Sequence, residues 1–316
     1  MEPRSGSIAA AVLTGPLLAS FLFPLAAVTA VVGGRWIATR AMEWRHARRR
    51  RYRADGIIDG AEGFSLPGAG RRAALLLHGF GDTPQTLRLL ADHLSARGIG
   101  VEAPLLPGHG RRLRDFVRSD AEQWLGAARE SYRSLRSSHD HVALVGLSMG
   151  GAIATLLAAE ADSPALVLLA PYLAAPDAVR RLARHHRWLG ALSPYMPSGD
   201  DRSIHDPEER SKSLGHGMVT AGLLRELVGL ADRGAAAFRK LATPALIIHS
   251  RRDNRVPAAD IERLVASPGK GERRIVWLED CGHVITVDRE RQCVFDETAG
   301  WLERHLRASI PAAAAG

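Results

Sequence analysis

A short apolar strand that runs into a glycine-flanked serine and then into a helix constrains this chain more than any other feature. Residues 141–155 read HVALVGLSMGGAIAT, with Ser148 between Gly146 and Gly150. The run VALV predicts a buried strand, and the small apolar residues after Gly150 predict a helix packed closely on a sheet. In such a G-x-S-x-G turn, the strained backbone pushes the serine hydroxyl out beyond the strand, and close packing requires glycine on both sides. We therefore predict that Ser148 is a nucleophile at the tip of this turn.

The overall composition is that of a globular enzyme-sized chain with one local concentration of charge. The 316 residues are 46% hydrophobic and 24% charged, which suits one large α/β domain with an appendage. The formal net charge is +8, but residues 35–53 alone hold eight arginines and a single acidic residue. The basic charge therefore indicates one local patch, and nucleic-acid binding by the fold is not expected.

The first part of the chain predicts a membrane anchor. Residues 8–32 carry no charged side chain, and about 20 apolar residues are enough for a helix to span a bilayer. The glycines at 33–34 are expected to end this helix, and the arginine-rich segment follows directly. Positive charge on that side predicts a single-pass membrane protein with its catalytic domain in the cytoplasm, contacting lipid through the helix and the basic segment. The alternative is a signal peptide cleaved after residues 28–30, followed by export.

Strands and helices alternate over most of the remaining sequence. This alternation predicts a mostly parallel sheet with helices on both faces, its strands being apolar runs at residues 73–77, 101–103, 142–145, 165–169, 245–249 and 274–278. Residues 171–241 break the alternation, and we interpret them as a helical cap inserted between two core strands; ordinary packing helices joined by a long loop are the alternative. The predicted layout is an anchor and basic segment over 1–55, a catalytic domain over 56–307 and a flexible tail over 308–316.

Candidate catalytic groups follow four of the predicted strands, in the order Phe80, Ser148, Asp253 and His283. A serine hydroxyl needs a base to act as a nucleophile at neutral pH, and His283 is the candidate base. Asp253 would orient the imidazole and stabilise its charged form. The backbone N–H groups of Met149 and Phe80 are the candidate oxyanion hole.

Other polar residues near these strand ends offer alternatives. Asp280 and Asp288 are alternative acids, but both lie within a few residues of His283 and neither directly ends a strand. His78 and His109 are interpreted as braces of their loops rather than as bases. No convincing metal-ligand spacing and no glycine-rich phosphate loop is present, so neither a metal nor a cofactor is expected.

Five stretches in order resemble the bacterial monoacylglycerol lipase and carboxylesterase family of α/β-hydrolases. The resemblance covers roughly residues 60–306, through LLLHGFGDTPQTLRLLADHL, APLLPGHG, VGLSMGG, PALIIHSRRDNRVP and GHVITVD. It implies an α/β-hydrolase fold, cofactor-free ester hydrolysis and a cap that shapes the acyl pocket. It also implies that Ser148, Asp253 and His283 form the triad and that Phe80 and Met149 form the oxyanion hole. The chain departs from the family in its N-terminal segment and in an Arg- and His-rich cap.

The residues and the resemblance together predict a serine carboxylic-ester hydrolase. It would act through an acyl-enzyme on monoacylglycerol-like or short- to medium-chain esters, with a small ester or lipid as its partner. Three other activities use the same triad, namely those of a thioesterase, an amidase and an acyltransferase. A non-catalytic membrane-tethered binding protein is the alternative from a different class.

Overall fold

A seven-stranded sheet forms the centre of the fold. The computed structural model describes residues 15–192, 195–199, 201–267 and 269–308. The strands are β1 (Phe64–Leu66), β2 (Arg72–Leu77), β3 (Gly100–Ala103), β4 (His141–Leu147), β5 (Leu166–Leu169), β8 (Ala245–Ser250) and β9 (Arg273–Leu278). Their order in the sheet is β1-β3-β2-β4-β5-β8-β9, and β1 alone runs antiparallel to its neighbour. The parallel strands place the loops after β2, β4, β8 and β9 at one edge of the sheet.

Helices cover both faces of this sheet. Alternate strand residues point to opposite faces, so Leu75 and Leu77 contribute to one apolar cluster and Leu76 to the other. Helices α2 (Arg88–Ala96) and α11 (Arg291–Ala308) cover one face, and α4 (Ala121–Ser138), α5 (Met149–Glu160), α9 (Ala221–Phe238) and α10 (Ala258–Val265) cover the other. A short helix, α3 (Leu113–Val117), precedes α4. The predicted fold, a mostly parallel sheet with helices on both faces, is confirmed.

The segment between β5 and β8 is the largest interruption of the strand–helix alternation. It contains α6 (Asp177–Arg184), α7 (His186–Leu192), α8 (Pro207–Ser211) and an antiparallel pair, β6 (Met196–Pro197) with β7 (Met218–Val219). Helix α9 ends the segment. Its Thr220 cap accepts the N–H of Leu223 at 3.2 Å, and Leu227 and Leu230 join the same apolar cluster as α5. The last helix of the predicted cap therefore belongs to the layer that covers the sheet.

The N-terminal helix, α1 (Gly15–Arg48), departs from the prediction. Within the predicted membrane span, residues 8–14 lie outside the described residues. The helix does not end at the glycines 33–34 but continues to Arg48, so charged side chains share it with the apolar run. Across the described part of the chain, no helix has the length and the apolar character that crossing a bilayer requires. The prediction of a single-pass membrane location is therefore wrong, and we propose no tether through this helix.

The contacts divide the chain into two units. The first ends at Arg45, and the second, which begins at His46, contains the sheet and helices α2 to α11. All the candidate catalytic residues lie in the second unit.

Candidate active site

Ser148 lies in the turn between β4 and α5, in a backbone conformation that is rare for a residue with a side chain. Its φ is +54° and its ψ is −116°. A Cβ on Gly146 would overlap the backbone of Gly150, and a Cβ on Gly150 would overlap the carbonyl of Leu77. The two glycines thus allow β4, α5 and the end of β2 to approach closely, and the strained serine is held by this packing.

The same close approach brings the loop after β2 against Ser148. A Cβ on Gly79 would lie 3.4 Å from the Cβ of Ser148. The next residue, Phe80, packs its ring against Phe116 and Trp124, at centroid distances of 5.1 and 5.8 Å, which fixes the loop. Among the described residues, the backbone N–H groups of Phe80 and Met149 have no hydrogen-bond acceptor. Two backbone donors without an acceptor therefore belong to residues next to Ser148 in the chain and next to Gly79, which lies against it.

Ser148, His283 and Asp253 form a continuous hydrogen-bonded chain. The Ser148 hydroxyl lies 2.7 Å from Nε2 of His283, and Nδ1 of His283 lies 2.7 Å from Oδ2 of Asp253. The other carboxylate oxygen of Asp253 accepts the backbone N–H groups of Arg255 at 2.7 Å and Val256 at 2.9 Å. With Nδ1–H donating to the carboxylate, Nε2 is left free to accept the serine proton. The arrangement suits removal of that proton.

The surroundings of Asp253 keep its carboxylate ionised. Burial raises its pKa, but the charge of His283, the hydrogen bond to it and the nearby His249 together leave the pKa below the ordinary value. Nε2 of His249 lies 3.7 Å from Oδ2 of Asp253 and donates to the carbonyl of Val256 at 3.0 Å. Burial lowers the pKa of His249, which favours the neutral imidazole. The fully buried carboxylate of Asp253 is therefore available as the hydrogen-bond acceptor for Nδ1–H of His283.

The two alternative acids have other partners. Asp288 is buried and accepts backbone N–H groups from His205, Asp206 and Gly282, the last at 2.6 Å. It therefore joins the loop of His283 to the segment between β5 and β8. Asp280 is half-buried and pairs with Arg252 at 3.1 Å and with Arg289 at 2.8 Å. Neither carboxylate contacts the imidazole of His283 in this structure.

A cavity of about 590 Å³ opens at Ser148 and His283. Its apolar wall comes mainly from the segment between β5 and β8, through Tyr172, Pro176, Val179, Ile204, Val219, Leu224 and Leu227. Its polar wall includes Asp82, Asp201, Arg50, Arg210 and Arg255. In the described ranges, no group of three His, Cys, Asp or Glu side chains is placed to hold a metal ion. The cavity has room for an organic substrate with an apolar part and a polar part.

Two buried histidines support the loops around the serine. In His78, Nδ1–H donates to the carbonyl of Gly79 at 2.9 Å, and Nε2 accepts the N–H of Leu106 at 3.1 Å. His109 packs edge-on against Phe116 and donates from Nδ1 to the carbonyl of Pro107 at 3.0 Å. Burial lowers the pKa of His78 to about 4 and that of His109 well below its ordinary value. These hydrogen bonds hold the two loops in place, as predicted for loop braces.

Because buried histidines resist protonation, we expect the protein to lose stability in mild acid. Burial also lowers the pKa of His216 to about 3, so unfolding takes up protons at His78, His109 and His216 below about pH 6.5. Each of these three protons lowers the free energy of unfolding by about 1.4 kcal/mol for each unit by which the pH falls. Asp82 has the opposite effect, because burial raises its pKa to about 6. From these four groups alone we expect a net loss of about 3 kcal/mol per pH unit between about pH 6 and pH 4.5, and His46 and His249, whose pKa burial also lowers, act in the same direction.

Urea denaturation over this pH range tests the expectation. His216→Phe keeps the stacking on Phe116, whose ring centroid lies 4.6 Å away, and should reduce the slope by about 1.4 kcal/mol per pH unit. His185→Ala, at an exposed position, should leave the slope unchanged. A free energy of unfolding that stays constant between about pH 6 and pH 4.5 would contradict the account.

The basic segment contributes to the site in a way that the sequence did not predict. The Arg50 guanidinium donates to the carbonyls of Ser213 and Gly215, and Nε2 of His46 lies 3.0 Å from the carbonyl of His216. The N–H of His216 in turn donates to the carbonyl of Gly81, at 2.7 Å, in the loop after β2. Arg50 also lines the cavity and therefore forms part of its wall. In the sequence, nothing distinguishes Arg50 from the arginines on either side of it, so its role in the cavity could not be predicted.

Comparison with known proteins gives the family. Residues 68–290 match the family described as serine aminopeptidase, S33 (Hydrolase_4), and this range contains Ser148, Asp253 and His283. The chain belongs to this family. A thermostable monoacylglycerol lipase of Bacillus sp. (strain H-257) is 30% identical over 250 residues, which span 79% of this chain and 97% of that protein. The predicted family resemblance is confirmed, and the chain is a serine hydrolase.

Two further relatives support the same assignment. A carboxylesterase of Bacillus subtilis (strain 168) is 24% identical over 74% of this chain and 94% of its own length. A solved structure described under "LipS and LipT, two metagenome-derived lipolytic enzymes increase the diversity of known lipase and esterase families" is 26% identical. It superposes with a TM-score of 0.71 over 78% of this chain and 98% of its own. These three relatives are matched over 97%, 94% and 98% of their own lengths.

Proposed function

We propose that this protein hydrolyses carboxylic esters through an acyl-enzyme on Ser148, with monoacylglycerol-like or short- to medium-chain esters as substrates. The observation that carries the proposal is the hydrogen-bonded chain from Ser148 through His283 to Asp253 at the floor of a partly apolar cavity. The relatives named as a monoacylglycerol lipase and a carboxylesterase support an ester as the bond that is cleaved. The same triad can in principle act on thioesters and amides or transfer an acyl group, but the relatives do not favour these reactions.

In the proposed reaction, His283 removes the proton of the Ser148 hydroxyl as its oxygen attacks the ester carbonyl. Asp253 holds the imidazole in the tautomer that accepts at Nε2 and stabilises the imidazolium that forms. The imidazolium then gives its proton to the leaving alcohol. Water repeats the sequence on the acyl-enzyme, again with His283 as the base, and releases the acid.

The oxyanion of each tetrahedral intermediate is proposed to bind between two backbone donors. These are the N–H groups of Phe80 and Met149, which have no acceptor among the described residues. Preorganised donors of this kind are each worth about 10²–10³ in rate. The packing of the Phe80 ring against Phe116 would hold its donor in position before the substrate binds.

The acyl chain is proposed to lie against the apolar wall between β5 and β8. We propose that residues 171–219 act as the cap of a hydrolase domain spanning 56–307, because Tyr172, Val179 and Val219 line the cavity from this side. Burial of an acyl chain there contributes about 0.8 kcal/mol for each methylene removed from water. Length preference would follow from how many methylenes this wall accepts.

Labelling with a fluorophosphonate probe tests the proposed nucleophile. We expect one adduct per chain, on the peptide that contains Ser148, and turnover of p-nitrophenyl butyrate by the same protein. Ser148→Ala should abolish the adduct and lower kcat by about 10⁴–10⁶. Ser163→Ala is a matched control, because Ser163 is also buried but bonds the carbonyls of Val142 and Ala165 away from the cavity. Labelling that persists in Ser148→Ala would remove the basis of the proposal.

A further inference from the structure

Three arginines line the catalytic cavity without a carboxylate partner. Arg50, Arg210 and Arg255 are each partly buried, and within the described residues none has an Asp or Glu oxygen in ion-pair range. By contrast, arginines of this domain that form ion pairs with acids, such as Arg71 and Arg252, do so at the surface. A guanidinium withdrawn from water without a counter-ion carries a desolvation cost, which is offset when a carboxylate or phosphate binds.

Backbone and hydroxyl oxygens satisfy only part of each guanidinium. Nη1 of Arg210 donates to the carbonyls of Asp201 and Ile204, at 3.0 and 3.3 Å. Arg255 donates from Nε to the hydroxyl of Ser203, at 3.1 Å, and from Nη2 to the carbonyl of Ser198. A guanidinium has five N–H donors in a planar fork. These contacts therefore orient the two groups and leave donors free toward the cavity that they line.

The two arginines lie on the His283 side of the cavity. Both are bonded to the segment 201–204, Arg255 through Ser203 and Arg210 through Ile204, and the N–H of Val284 donates to the carbonyl of Ser203 at 2.9 Å. That hydrogen bond joins the segment directly to the loop of His283. In an ester hydrolase of this geometry, His283 protonates the leaving alcohol. The arginines therefore flank the alcohol part of a bound ester, whereas the apolar wall suits its acyl part.

Two carboxylates line the cavity beside the three arginines. Asp201 also lines the cavity, but it is exposed, and its contact with Arg210 is through its backbone carbonyl. Asp82 lies in the loop after β2 and accepts the hydroxyl of Thr86 at 2.7 Å. Arg50 adds a third positive charge from the wall formed with Gly215. The lining therefore holds three arginines and two aspartates, and Arg210 and Arg255 have neither aspartate in ion-pair range.

We propose that the preferred substrates are esters whose alcohol part carries an anionic group, a phosphate or a carboxylate, bound by Arg210 and Arg255. This inference rests on the proposed ester hydrolysis and specifies its substrate class. The planar fork of arginine matches both anions, so the shared feature is the oxyanion rather than one headgroup. A neutral monoacylglycerol would bind the same acyl wall without this contact.

Two matched substrate pairs test the proposal on the full chain. The first pair is 1-butanoylglycerol and 1-butanoylglycerol 3-phosphate, and the second is methyl O-butanoyl-lactate and O-butanoyl-lactate. Short acyl chains keep all four esters monomeric. We expect kcat/KM to be about 10-fold to 100-fold higher for the anionic member of at least one pair, and the pair that shows it identifies the anion. Equal or lower values for both anionic esters overturn the proposal.

Variants assign the effect to the two arginines. Arg210→Gln and Arg255→Gln should lower kcat/KM for the anionic ester about tenfold and for its neutral partner less than about threefold. Arg255→Lys, which keeps the charge, should retain part of the preference. Arg252→Gln is the control, because Arg252 pairs with Asp280 on the surface. Equal losses on both esters overturn the assignment.

The outcomes separate this inference from the proposed function. Turnover of p-nitrophenyl butyrate that depends on Ser148, without any anionic preference, overturns only the substrate class. Absence of turnover for p-nitrophenyl butyrate and for all four esters overturns both.

Discussion

Asp253→Asn is expected to lower kcat by about 10⁴ while the protein remains folded. The carboxylate Oδ2 now accepts from Nδ1 of His283 at 2.7 Å, and Oδ1 accepts the N–H groups of Arg255 and Val256. An asparagine that keeps its oxygen on those two backbone donors turns its NH₂ toward the imidazole. The imidazole would then carry its proton on Nε2 and could not accept one from Ser148. Steady-state turnover of p-nitrophenyl butyrate, with circular dichroism to verify folding, measures the effect.

The alternative acids supply the controls. Asp280→Asn should change kcat less than about threefold, because Asp280 pairs with the exposed Arg252 and Arg289 and does not contact His283. Asp288→Asn should lower the free energy of unfolding instead, because this buried carboxylate accepts the backbone N–H groups of Gly282 and Asp206. A kcat for Asp253→Asn within tenfold of the parent enzyme would show that Asp253 does not orient His283.

Gly150→Ala should have the second large effect, on folding as well as on turnover. A Cβ at this position would overlap the carbonyls of Leu77 and His78, which are backbone atoms and cannot rotate away. Helix α5 would have to move from the end of β2, at a cost of about 3 kcal/mol or more in the free energy of unfolding. The N–H of Met149 and the hydroxyl of Ser148 would move with it, and a displacement of about 1 Å costs about 100-fold in rate. Urea denaturation and kcat per active site measure the two effects.

Gly126→Ala is the matched control for backbone substitution. Gly126 lies on an exposed turn of α4, and no atom lies within 4 Å of an added Cβ. Alanine there should stabilise the protein by about 1 kcal/mol through its higher helix propensity, with no change in turnover. If Gly150→Ala were as stable and active as Gly126→Ala, the close approach of α5 to β2 would not be needed.

The strand ends explain why so much of the fold and of the candidate site followed from the sequence. Apolar runs predicted the sheet to within one residue at most strand ends, as for β2 at Arg72–Leu77 and β9 at Arg273–Leu278. In a parallel sheet, the loops after these strands share one edge, so candidates 135 positions apart, such as Ser148 and His283, meet without any long-range information. Local pattern and topology were sufficient there.

Other features depend on contacts that local pattern does not encode. An apolar run followed by arginines reads as an anchor, but helix α1 continues through its glycines to Arg48, and no described helix is suited to cross a bilayer. The contact of Arg50 with Gly215 joins residues 165 positions apart. No periodicity distinguishes Arg50 from the arginines beside it. Its place in the cavity wall required the tertiary structure.

This contact has a consequence for how substrate range can diverge in such enzymes. Arg50 and His46 lie outside residues 68–290, the stretch that defines the family, yet they hold the loop 213–217 that borders the cavity. The residues of the hydrogen-bonded chain all lie inside that stretch. Part of the cavity wall therefore comes from before residue 68, and changes there are expected to reshape the cavity while Ser148, Asp253 and His283 stay the same.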